Sequence, residues 1–239
     1  MTRAILWPTF HDTMTATIVP TDLSAPALKP GADCRHAFQA AYENRYTWDQ
    51  GFPGYRGRCQ VSSAGGTATG AFQVDPDLKA RVEGLSNQDL TKAVQNQLWE
   101  VTIHRVRRPF VQVHGQNGFV AGDTNAVGME VIVTGKAAGD RYRIRGNVVT
   151  MVHRHIHGQV VTIHTEAVTE TGAGYLSRHY RSRYSDPRSG EFLGPEQQFS
   201  DTFAPLTSGH WTLRERLIRC DGNEQMFRFL DLEPLEANL

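Results

Sequence analysis

The sequence predicts an α+β chain that is mostly β: one curved antiparallel sheet, an incomplete barrel, with two helices, one of them covering the concave face. Three observations lead there. Between residues 127 and 232, runs rich in β-branched and aromatic residues alternate with short turns marked by Gly or Pro. Those turns are too short for a parallel return, which needs a dozen or more residues, so neighbouring strands must run antiparallel. Only two segments, both earlier in the chain, repeat apolar residues at helical spacing. A meander of about eight strands curls rather than staying flat.

The elements follow in order. Residues 1–30 are rich in Thr, Pro and Ala and have no sustained period, which reads as a flexible N-terminal arm ahead of a single β-rich domain, 31–239. Asp33 suits a helix N-cap, and Ala37, Phe38, Ala41, Tyr42 and Tyr46 make one apolar face before Gly51, Pro53 and Gly54 end the helix. Strands are expected at 55–61, 67–74 and 79–83, with turns at Gly65-Gly66 and Pro76. Ser86 with Asp89 resembles an acidic capping box. Leu90, Val94, Leu98 and Val101 then mark a second helix, running to Arg108 and stopping before Pro109. The glycine-rich stretch 114–127 reads as a long loop. Strands are then expected at 127–134, 140–145, 147–156, 159–169, 174–184, 197–206, 211–219 and 224–232.

Charge bounds the partners. The 239 residues carry 25 Lys and Arg against 25 Asp and Glu, so the chain lacks the basic excess that phosphate binding uses, and no nucleic acid is expected. Cys34, Cys59 and Cys220 are far apart, odd in number and without a CxxC pair. The first ten residues lack the apolar core of an export signal, so reduced thiols and a cytoplasmic location are expected. No apolar run approaches the roughly 18 residues of a membrane helix, so no transmembrane segment is expected.

The most informative segment is 151–166, MVHRHIHGQVVTIHTE. A turn at His157-Gly158 sets Ile156 against Gln159, His155 against Val160, His153 against Thr162 and Met151 against His164. Alternation then gives one mainly apolar side, interrupted by Arg154, and one side bearing His153, His155, Thr162, His164 and Glu166. Imidazoles and a carboxylate at this spacing suit a metal site built from His153, His155, His164 and Glu166, holding zinc or another divalent ion. Solvent-facing histidines, or a pH-sensitive role, fit the same pattern.

Other segments are less specific. Arg178, Tyr180, Arg181 and Arg183 could build a partner-binding face or an ordinary solvated one, with Arg178 across from Glu166. Phe72, Trp99, Met129, Phe199, Trp211, Phe227 and Phe229 are candidates to line an apolar ligand cavity; plain core packing is the alternative for each. No GxSxG, Walker, HExxH or paired-carboxylate pattern is present, so the sequence assigns no reaction.

The segments AYENRYTWDQGFPGYRG, QLWEVTIHRVRRPF, GDTNAVGMEV, GKAAGDRYRI and NVVTMVHRHIHGQVVTIHTE resemble the domain of unknown function 3386 family of photosynthetic lineages, over about residues 33–232. That resemblance implies a cyanobacterial or plastid setting and transfers no activity. The element order also resembles the half-barrel of lipoprotein carriers such as LolA, which implies an apolar groove between sheet and helix. The resulting expectation is an accessory protein that binds an apolar small molecule, such as a lipid, pigment or isoprenoid. A metal-binding protein or metal-dependent enzyme, and a protein-docking scaffold, are the alternatives.

Overall fold

The structure, a computed structural model, describes residues 33–49 and 51–236; the arm expected at 1–30 lies outside them. Helix α1 (Cys34–Glu43) begins at Asp33, whose carboxylate accepts from the backbone N–H groups of Arg35 and His36. Phe38 and Ala41 are buried on its inner side. Strands β1 (Tyr55–Ser63), β2 (Gly66–Val74) and β3 (Ala80–Glu83) follow as a meander. Helix α2 (Gln88–Arg105) is capped by Asn87 rather than Ser86, because the Asn87 side chain reaches the N–H of Asp89 at 2.7 Å. It ends three residues before the expected stop, where Val106 turns extended.

The expected loop 114–127 is a correction. A short helix α3 (Phe110–His114) leads into strand β4 (Asn117–Asn125), which pairs with β5 (Gly128–Gly135). An edge strand pairs on one side only and leaves most side chains in water, so β4 lacks the apolar alternation by which strands are recognised. The remaining strands fall close to expectation: β6 (Arg141–Arg145), β7 (Val148–Ile156), β8 (Gln159–Glu170), β9 (Tyr175–Ser185), β10 (Gln197–Pro205), β11 (Trp211–Cys220) and β12 (Asn223–Pro234).

All twelve strands form one open sheet, in the order β3-β2-β1-β12-β11-β10-β9-β8-β7-β6-β5-β4, with every neighbouring pair antiparallel. The chain passes from one edge strand, β3, to the other, β4, through α2 and α3.

In-register partners share a face, so Val131, Tyr142, Val152 and Ile163 lie on one side across β5 to β8. Both long helices pack on this inner face, where one was expected. Val94, Leu98 and Val101 of α2 cover Tyr55, Cys59, Val61, Phe72, Leu213, Phe227 and Phe229, making the first core. Phe38 and Ala41 of α1, with Phe110 of α3, cover Met129, Val131, Val133, Tyr142 and Ile144, making the second.

Candidate functional site

Helix α2 presents three different surfaces, because successive side chains rotate by about 100° around a 3.6-residue helix. Val94, Leu98 and Val101 face the sheet. Gln97 and Glu100 lie on one flank, and Gln95, Trp99 and Ile103 on the other.

The Gln97 flank meets an ion pair at the seam between the two cores. Asp201 on β10 and Arg216 on β11 are register partners, only 2% and 3% exposed. Arg216 donates to both carboxylate oxygens, Nε to Oδ1 at 2.9 Å and Nη2 to Oδ2 at 2.6 Å, the forked geometry that makes such pairs strong. Its Nη1 donates to Gln97 at 2.9 Å and lies 3.1 Å from Glu100, so one guanidinium ties α2 to two strands. Burial opposes the charge on Arg216, but the carboxylates of Asp201 and Glu100 more than offset this and raise its pKa. Tyr180 stacks on Phe199 at 4.6 Å, and burial pushes its phenol well above the ordinary value. The Asp201–Arg216 pair was not singled out from the sequence. The available signal was a carboxylate at an inward position, between Phe199 and Phe203, where alternation calls for an apolar residue.

The other flank of α2 opens onto a groove of about 980 Å³ against β3 and the turn before it. Leu78, Ala80, Trp99, Ile103 and Val106 supply its apolar surface. Trp99 is 59% exposed, on a helix whose opposite side is fully buried. At the rim, Lys79 pairs with Asp77 and Arg81 with Asp75, so its cations are already neutralised.

The other sequence-derived candidates separate. Phe72, Phe227 and Phe229 are buried in the first core and Trp211 packs against it; Met129 belongs to the second, and Phe199 lies at the seam. Alternation on β9 puts Arg178 and Tyr180 on the inner face and Arg181 and Arg183 on the outer one, so these four do not form a single face. Glu166 pairs with Arg181 at 3.2 Å instead of with Arg178, because irregular pairing at Thr165, Ala167 and Val168 shifts the register.

The histidine hairpin has the anticipated register, and its two turn residues have φ of 52° and 79°, as a tight two-residue turn requires. His153, His155 and His164 share the outer face. His153 Nδ1 lies 2.9 Å from Thr162 Oγ1, and His155 Nδ1 lies 3.2 Å from Asp140 Oδ1. Partial burial lowers the pKa of His153 and His164, aided by Arg141 and Arg181 respectively. Among the described residues, no three His, Cys, Asp or Glu side chains are grouped to hold a metal ion.

These features define a class of protein: an open antiparallel sheet whose inner face carries two helices over two separate cores, joined at an ionic seam. Residues 29–235 match the family described as protein of unknown function (DUF3386), and the chain belongs to that family. No curated protein matches the chain. The chain is also similar to a solved structure from Vibrio parahaemolyticus, described as an outer membrane lipoprotein-sorting protein domain. The two share 11% identity over 85% of this chain and 94% of that one, with a TM-score of 0.31. Among the described residues, no helix is long and apolar enough to cross a membrane.

Proposed function

We propose that this protein binds an apolar small molecule, of the lipid, pigment or isoprenoid kind, in the groove between α2 and β3. The observation that carries the reading is Trp99, a large aromatic held in the open beside Ile103, Val106 and Leu78. Its volume lies at the upper end of the roughly 300–1,000 Å³ typical of small-molecule sites. Because Asp75 and Asp77 neutralise the rim cations, the groove suits a neutral ligand better than an ionic one. Leu78 and Ala80 of its lining pack against the first core, which holds that wall of the groove in place. A reducing cytoplasm fits the same reading, since all three cysteines are free.

Titration with the neutral fluorescent probe N-phenyl-1-naphthylamine tests the groove directly. Saturable binding that is indifferent to salt and weakened at least tenfold in Trp99→Ala is the expected result. Equal binding by parent and variant, or none by either, sinks the proposal. Native mass spectrometry of protein from its own source then identifies the natural occupant.

A further inference from the structure

We propose that Arg105 and Arg178 form a binding site for a small oxyanion, a carboxylate or a phosphate group, at the seam beside the Asp201–Arg216 pair. Arg105 is the last residue of α2, and its guanidinium lies 5.4 Å from the Phe203 ring, two residues along β10 from Asp201. Arg178 and Asp201 stand one step beyond the paired residues His179 and Ser200, on the inner face with Tyr180. The Arg178 backbone thus stands beside Asp201 on the neighbouring strand, and Arg105 approaches the same strand from α2.

Their bonding is incomplete. Both Asp201 oxygens are engaged by Arg216, and the Tyr180 hydroxyl donates to one of them at 3.5 Å. Glu100 is also taken by Arg216. Among the described residues, neither Arg105 nor Arg178 has a carboxylate within 4.0 Å or a side-chain hydrogen bond, and the Nε of each is buried without a partner. Arg183 shares the buried Nε but has Glu196 at 3.9 Å on the outer face.

Arg216 therefore takes both carboxylates, Asp201 and Glu100, and leaves neither for Arg105 or Arg178. A desolvated donor left unbonded is costly, and native folds rarely leave one without a partner to come. Desolvation pulls the Arg105 pKa down to about 10, as expected of a cation short of its counter-charge. The unmet need is for negative charge, which excludes a metal ion. A planar fork of N–H donors matches the oxygens of carboxylate or phosphate better than a spherical anion. The site is separate from the Trp99 groove, which lies on the opposite flank of α2.

Thermal unfolding of the full chain tests this, at fixed ionic strength, in chloride with and without inorganic phosphate or butyrate. A saturating rise in Tm with either anion is expected for the parent and for Arg56→Met, an outer-face control. The rise should vanish in Arg105→Met and in Arg178→Met. In chloride alone, Arg105→Met should melt no lower than the parent, since it removes an unpaired charge. Response to phosphate alone or to butyrate alone identifies the group recognised. No response by the parent, or the same response in the parent and both variants, overturns the site. Should Arg105→Met fail to fold, Arg178→Met, on a strand and without an ion pair, decides the matter alone.

Discussion

The two halves of the inner face solve the same problem differently. Under α1 the core is packed with aromatic rings. The His114 ring is enclosed by Phe38, Tyr42, Phe110, Phe119 and Tyr142, and its Nδ1 accepts from the Asn117 amide at 3.3 Å. Desolvation, with Arg154 and Arg45 nearby, pushes its pKa down to about 4, so the imidazole in that core is held neutral at pH 7. Under α2 the core is also apolar, but the helix is anchored by a charged pair on one flank and open to a groove on the other. One wing is filled by rings around a neutral imidazole; the other ties one flank of its helix by charge and leaves the opposite flank uncovered.

The contrast can be broken first at the ion pair. Asp201→Asn removes the forked partner of buried Arg216, leaving only Glu100 at 3.1 Å, and should cost about 3–5 kcal/mol in denaturant unfolding at neutral pH. A loss below about 1 kcal/mol would mean that apolar packing alone holds the α2 wing.

The closed wing is probed by acid. In the unfolded chain His114 takes a proton near its ordinary pKa of 6.5, and in the folded chain only near 4. The unfolded state therefore binds more protons as pH falls through that window, and stability drops, by up to about 3 kcal/mol at pH 4. His114→Phe should flatten this part of the stability–pH curve, measured by urea unfolding at several pH values. An unchanged acid slope would show that other groups cause the loss.

Between the wings, Gly174 (φ 129°) lets the chain after α1 lie against β9; an added Cβ would meet Asn44 O at 2.5 Å and Tyr46 N at 2.8 Å. Gly174→Ala should destabilise by about 1–3 kcal/mol, with the midpoint shifting but the cooperativity kept if both wings unfold together. Separate transitions would divide the molecule into two folding units.

The smallest effect is expected at Trp99. Its ring is mostly in water, so Trp99→Ala should change stability by no more than about 0.5 kcal/mol, whatever it does to probe binding. A larger loss would assign the ring to the core and weaken the groove as a site.

Much of the fold was legible because the signals are local. The Asp33 cap, the His157-Gly158 turn and the strand boundaries from β5 onward depend on residues a few positions apart. The site was less legible. Asp201 and Arg216 are fifteen residues apart and meet only through strand pairing, while Gln97 comes from a helix across the sheet. The bulge in β8 that hands Glu166 to Arg181 is equally invisible, since one irregular residue changes every later pairing.

By itself, then, the chain's pattern determined that residues 127–232 form antiparallel strands, and which side chains share a face, because periodicity and turn chemistry act over a few residues. Only the tertiary structure decided that β1 joins β12, that both helices lie on the same face, and that one flank of α2 grips an ion pair while the other stays open. The physical reason is that alternation says which way a side chain points but not what it will meet. That is settled by contacts between segments far apart in the chain, whose burial outweighs the entropy of bringing them together.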